Sequence, residues 1–229
     1  MIPNGEFALF KDRHDAGKRL AQKLLQYKGA KDTIVIALPR GGVVLGYEVS
    51  LALQLPLDVL ITRKLGTPFN PELAMGALAE TGYRHMNDDV IREYRVSQKE
   101  VDAEILRQKS EVDRRIQRYR KGRTLPSLKG QTVILVDDGI ATGATFYASL
   151  GALLKAETAR VVAAVPVAPP HAVTELKTLV DEVVVLHSSA WFFGIGQFYE
   201  DFSQVEDEEV IACLEKVRAI LSTAGRVPA

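Results

Sequence analysis

The chain is short of the features that would classify it at a glance. It has a single cysteine, Cys213, so no disulfide framework can form within it. Cys213 falls in an amphipathic pattern near the end of the chain and reads as core rather than as a nucleophile. No apolar run approaches the ~18 residues that a bilayer requires. The start, Met1-Ile2-Pro3-Asn4-Gly5-Glu6, has neither the basic nor the apolar region of a signal peptide. The expectation is a cytoplasmic protein with no membrane partner. An excess of one charge is also missing. The 29 basic residues balance 29 acidic ones, which leaves no global field for nucleic acid or an anionic membrane. Affinity for phosphate must therefore come from local geometry. No internal repeat or low-complexity tract is present.

What is there fits a soluble globular fold. The 229 residues are 47% apolar and 25% charged, enough for one large domain with an insertion. Apolar runs alternate with helical patterns, the signature of parallel βαβ units. Strands are predicted at Thr33 to Leu38, Leu57 to Thr62, Thr132 to Asp137, Arg160 to Pro166 and Glu182 to Leu186. Helices are predicted at His14 to Tyr27, Val43 to Leu53, Gly143 to Lys155, Pro170 to Leu179 and Asp207 to Leu221. Gly76 to Asn87, with Thr81-Gly82 in its middle, reads as a hairpin. Residues 96–123 form a charged helical insertion that opens with a capping box, Ser97 and Glu100. Its apolar stripe, Val101, Ile105, Val112 and Ile116, calls for a partner surface. Its end, Arg114 to Arg123, holds six basic residues and no acid. Cations there complement the helix macrodipole, and a solvated face outweighs a nucleic-acid patch.

The most informative segment is residues 133–145, Val-Ile-Leu-Val-Asp-Asp-Gly-Ile-Ala-Thr-Gly-Ala-Thr. The apolar run puts Asp137 and Asp138 at the carboxyl end of a buried strand, where open α/β sheets hold ligands. The loop that follows opens a helix. Its backbone N–H groups at Gly139, Ala141, Gly143 and Ala144, with the Thr142 and Thr145 hydroxyls, suit a phosphate at the first helical turn. Acids beside a phosphate cradle suit a sugar phosphate whose vicinal hydroxyls donate to the carboxylates.

This order of residues resembles the phosphoribosyl diphosphate (PRPP) motif of the type I phosphoribosyltransferases, matched over its whole length. The resemblance implies an α/β fold: a central, mostly parallel twisted sheet flanked by helices, with a small hood or lid and the helical insertion. Residues 63–95 would supply the lid and hairpin, and 187–206 the C-terminal hood. It also implies transfer of the 5-phosphoribosyl group of PRPP to a nitrogenous acceptor, a nucleobase by preference, with pyrophosphate released. Mg²⁺ would be bound mainly through PRPP, the protein would be a homodimer, and nucleic acid is not expected as a partner. Asp137 and Asp138 would hold the ribose.

Other segments gain meaning beside that motif. Arg40-Gly41-Gly42, after the first predicted strand, resembles the family's pyrophosphate loop, where members often hold a strained or cis peptide. Arg63 and Lys64, after the second predicted strand, would offset charge on the departing pyrophosphate, with Lys64 assisting catalysis. Trp191 and Phe192, with Phe193 beside them, offer a surface on which a base could stack, and Tyr199-Glu200-Asp201-Phe202 would extend that wall. Ala141 departs from the enzymes acting on 6-oxopurines, which usually carry an acid there. A proton relay would then come from Glu72, Glu80 or the aromatic segment. The rival reading is a PRPP-sensing regulator without catalysis, for which the basic end of the insertion would serve.

Overall fold

The computed structural model describes residues 8–141 and 143–223. Thr142, one of the expected phosphate ligands, lies outside them. Five parallel strands form the main sheet: β1 (Thr33–Ala37), β2 (Leu57–Val59), β6 (Thr132–Val136), β7 (Arg160–Ala168) and β8 (Glu182–Ser188), in the order β2-β1-β6-β7-β8. The expected mostly parallel sheet flanked by helices is thus present. Winding runs outward from β1 to β2 on one side and from β6 to β8 on the other. The reversal lies between β1 and β6, and the loops leaving their carboxyl ends bound the crevice where such sheets take ligands.

The uninterrupted apolar strands follow from burial on both faces. In β6, Val133 and Leu135 pack with α5 (Ala144–Lys155) and α6 (Pro170–Leu179), through Phe146, Leu150, Leu153 and Leu176. The intervening Ile134 and Val136 face α1 (Arg13–Lys23) and α2 (Gly41–Leu53), meeting Leu20, Leu24, Leu45 and Val49. This period of two is what a strand imposes, and each such fully buried side chain contributes about 1.5–3 kcal/mol.

The predicted second strand, Leu57 to Thr62, is two strands. β2 ends at Val59, the buried pair Leu60-Ile61 carries the chain out of the sheet, and β3 (Thr62–Gly66) starts a second one. Antiparallel β3, β4 (Ala74–Ala79) and β5 (Arg84–Met86) make that smaller sheet, and β4 with β5 is the expected hairpin. A Thr62–Ser149 hydroxyl hydrogen bond of 2.7 Å ties it to α5. After the short α3 (Asp88–Glu93), the insertion forms α4 (Gln98–Arg120), with the Ser97–Glu100 capping box present.

The apolar stripe of α4 needs no second molecule. Val101 and Ile105 pack on Leu65, Met75 and Leu78 of the small sheet. Val112, Ile116 and Tyr119 pack on Val59, Ile61 and α7 (Asp207–Thr223), where Cys213 is also buried. Burial pushes the Cys213 thiol up to about 11, as expected of an inert core cysteine. The basic end of α4 is largely consumed internally as well. Arg114 and Arg115 pair with Glu111, Arg118 with Asp207 and Glu208, Arg120 with Glu80, and Lys121 with Glu215.

Candidate active site

Two turns meet at the reversal of the sheet. One leaves β1 as Leu38-Pro39-Arg40-Gly41-Gly42, with a cis peptide between Pro39 and Arg40, and runs straight into α2. The other leaves β6 as Asp137-Asp138-Gly139-Ile140-Ala141 and leads to α5. They are in van der Waals contact. A Cβ added at Gly41 would lie 2.0 Å from Asp138 Oδ2, and one at Gly42 would lie 2.9 Å from Asp137 Oδ1 and 3.0 Å from the Val136 carbonyl. Only glycine lets the two loops approach this closely, which is the physical content of the Gly-Gly pair.

The helices that start here are left open. Asp12, Asn87 and Ser97 cap α1, α3 and α4 through their side chains. Neither α2 nor α5 has a side-chain cap; α5 begins after Gly143 in a left-handed conformation, φ 74°. First-turn N–H groups without an internal partner, at the positive end of a helix, are suited to an anion. The expected cradle residues Gly139, Ala141, Gly143, Ala144 and Thr145 surround that end of α5. Ala141 is exposed, and the Thr145 carbonyl accepts from Ser149 at 2.8 Å.

The acidic pair is held under electrostatic load. Asp137 Oδ1 accepts the Asp138 N–H at 2.9 Å, and burial followed by the neighbouring Asp138 charge pushes the Asp137 carboxyl well above its ordinary range. Burial also raises Asp138, against the pull of the Arg13 guanidinium. Arg13 Nε donates to Asp138 Oδ2 at 2.9 Å, the two side chains being 11% and 13% exposed. Arg13 also donates to the Ser203 carbonyl at 2.7 Å and lies 3.8 Å above the Phe202 ring. Tyr199 donates to the Asp138 carbonyl oxygen at 2.7 Å. Arg13 was missed in the sequence because nothing local marks it. It lies 125 positions from its partner, and only the fold brings them together.

Kinship with known proteins bears on this geometry. Residues 9–203 match the family model described as "Phosphoribosyl transferase domain". The chain belongs to that family. It is 46% identical, over 96% of its own length, to two proteins of Mycobacterium tuberculosis, strains CDC 1551 and H37Rv, each named a putative phosphoribosyl transferase. It spans about half the length of those relatives, 50%. Among solved structures, it resembles the crystal structure of TT1426 from Thermus thermophilus, with TM-score 0.75 and 42% identity, covering 90% of this chain and 98% of that one.

Within this family frame, the remaining candidates fall into distinct places. Arg40 is at the crevice turn, but its guanidinium reaches Glu206 at 3.2 Å and Asp207 at 3.9 Å. Arg63 and Lys64 lie inside β3 rather than in a loop beyond a strand. Arg63 donates to Gln108 of α4 at 3.0 Å, and Lys64 to the Glu72 carboxylate at 2.8 Å, which lowers the Glu72 carboxyl from its usual range. Glu80 is a structural acid, not a free relay. One oxygen accepts from the Ile61 N–H at 2.8 Å and the other from buried Arg120.

The aromatic segment divides too. Trp191 is 72% exposed and Phe193 84%, whereas Phe192 turns inward onto Phe198, ring centroids 5.1 Å apart. Tyr199 and Phe202, expected to extend a base-stacking wall, instead brace Asp138 and Arg13. A cavity of about 560 Å³ opens between Ala141, Phe192, Phe193 and the turn Pro169-Pro170-His171 after β7. His171 was overlooked as well. Its signal was its place just past the carboxyl end of a parallel strand, adjacent to β6 in the sheet.

Proposed function

We propose that the protein transfers the 5-phosphoribosyl group of PRPP to a nitrogenous acceptor. The observation that carries the reading is the buried Asp137–Asp138 pair facing the glycine turn of residues 41–42, between two uncapped helix N-termini. In this reading the carboxylates accept hydrogen bonds from the ribose 2- and 3-hydroxyls, and the 5-phosphate sits on the α5 N-terminus. Pyrophosphate lies against Arg40, Gly41 and Gly42, with Lys64 and Arg63 approaching from the small sheet once Glu72 and Gln108 release them. The bond from the anomeric carbon to pyrophosphate oxygen breaks with its electron pair leaving on pyrophosphate. The acceptor nitrogen forms the new bond from the opposite face, and the ring passes through an oxocarbenium-like charge distribution as in glycoside cleavage.

The reacting carbon gains positive charge beside these buried carboxyl groups, whose fixed oxygens favour the transition state over bound PRPP. Arg13 supports this role by pulling the Asp138 carboxyl back toward its ionised form, against burial, and by fixing it in place. The acceptor is assigned to the cavity beside Ala141. There Phe193 supplies flat surface, with exposed Trp191 close by in the chain, and His171 is the side chain available to take a proton from the attacking nitrogen. Mg²⁺ fits this crevice. Among the described residues no group of three or more His, Cys, Asp or Glu could cage a metal, and one acidic pair suits an ion held mostly by substrate oxygens and water. When bound it would neutralise charge on the departing pyrophosphate.

Regulation by PRPP sensing without catalysis draws no support from α4, whose basic end is paired within the chain. The deciding experiment incubates the protein with PRPP, Mg²⁺ and a panel of free bases and small amines while pyrophosphate is measured. Release that depends on one acceptor class is expected. PRPP binding with no release for any acceptor would overturn catalysis.

A further inference from the structure

The opposite end of the main sheet carries a second basic cavity. Two adjoining pockets of about 420 and 550 Å³ share Leu57, Asp58, Arg120, Arg123 and Arg218. They lie where α4 ends and β1 and β6 begin, since Lys31, Thr33 and Gln131 line the larger one. Five-residue strands at ~3.3 Å per residue put roughly 16 Å between this end and the PRPP loops. Each pocket is within the usual range of a small-molecule site, ~300–1,000 Å³.

The mark of a built site is a buried cation with unused donors. Arg120 is 2% exposed. Its Nη2 is bonded to Glu80, and its Nε stands 3.7 Å from Asp58 Oδ1. Yet among the described residues Nε and Nη1 make no hydrogen bond, and neither does the buried Oγ of Ser222, which lines the smaller pocket. Donors left unmade in the interior are costly and call for a physical reason. Arg123, Arg218 and Lys31 stand around Arg120 and have no salt bridge among the described residues. Lys121 and Glu215 neutralise each other at 2.9 Å. Of the charges that face the space, Lys31, Arg120, Arg123 and Arg218 therefore stand against Asp58 and, behind Arg120, Glu80. Pro56, Leu57, Val217 and Leu221 give the larger pocket an apolar wall.

We propose that this cavity binds a nucleoside monophosphate, at a site separate from the PRPP crevice. Guanidinium forks match phosphate oxygens bidentately, so Arg120, Arg123 and Arg218 take the phosphate, with Ser222 donating beside them. The apolar wall takes the base. Ligand and Glu80 then share one guanidinium. This links the cavity to the Ile61 backbone, where the chain crosses from β2 to β3.

The test is calorimetric titration of the full chain with AMP, compared with inorganic phosphate, for wild type, Arg218→Glu and Asp137→Asn/Asp138→Asn. Arg218 is exposed on α7, and an unchanged melting profile would show the variant folded. AMP is expected to bind more tightly than phosphate, to weaken at least tenfold in Arg218→Glu and with added salt, and to be unaffected by the double Asn variant. No binding at millimolar AMP would overturn the proposal. So would binding lost in the double Asn variant but kept in Arg218→Glu, since AMP would then occupy the PRPP crevice. Pyrophosphate release is read separately and does not bear on either outcome.

Discussion

The two sides of the crevice are built by opposite rules. On the side assigned to the donor, Asp137 and Asp138 are packed against glycines that admit no Cβ and clamped by Arg13 and Tyr199. On the side assigned to the acceptor, Trp191 and Phe193 stand in solvent, and the cavity that Phe193 lines has little polar definition. The difference fits what the proposed transfer would ask of each side. Stabilising charge at the anomeric carbon needs dipoles and carboxylates fixed before the substrate arrives, whereas a stacked acceptor needs only area and can change without disturbing the fold.

The sharpest way to break that contrast is at the acids. Asp137→Asn/Asp138→Asn should lower kcat/KM for pyrophosphate release by roughly 10²–10³-fold or more while the protein stays folded. Unchanged turnover would remove the carboxylates from the mechanism. Gly41→Ala comes next. Its Cβ would collide with Asp138 Oδ2 at 2.0 Å, and the loop must move to accept it. A loss of PRPP affinity by calorimetry of at least tenfold is expected, with a lower melting temperature because the buried Asp138–Arg13 pair is displaced. Wild-type affinity would mean that the two turns are not a single rigid cradle.

On the other side, Trp191→Ala and Phe193→Ala should raise KM for the acceptor by roughly 5–150-fold, the equivalent of ~1–3 kcal/mol of stacking. Neither PRPP affinity nor stability should move, because both rings are already solvated. An equal change in the two KM values would show that the aromatic segment organises the donor side instead.

Legibility in the sequence tracks the same division. The candidate site around Asp137 and Asp138 was readable because β6, an acidic pair and a small-residue loop are contiguous, so chain order alone brings them together. The parallel sheet was readable because burial on both faces forces continuous apolar strands. Arg13 and the bracing role of Tyr199 were not, since their meaning arises only when α1, the turn after β6 and residues 199–203 converge. The position of Arg63 and Lys64, inside β3 rather than past a strand end, was hidden for a related reason. An apolar run through Leu60-Ile61 looks the same whether the chain ends a strand or crosses to another sheet. The stripe on α4 could be recognised as apolar, but periodicity does not say whether the covering surface belongs to the same chain.

The smallest effect separates two neighbouring acids. Because burial raises the Asp137 carboxyl above its unfolded value, the associated stability is fully present below the unfolded carboxylate pKa, ~3.9, and is lost as pH rises through the folded value. Above the unfolded value, a buried Asp137 carboxyl therefore costs stability in the unliganded protein. Asp137→Asn should raise the melting temperature by about 2–4 °C for each kcal/mol relieved, and the gain should shrink at acidic pH, where the wild-type carboxyl is already neutral. Asp138→Asn should do the reverse at neutral pH, because it leaves Arg13, 11% exposed, without its carboxylate. Melting curves of both variants across pH decide the matter. Equal losses would mean that Asp137 carries no stored cost, whereas opposite signs would show that one acid is held for function and its neighbour for structure as well.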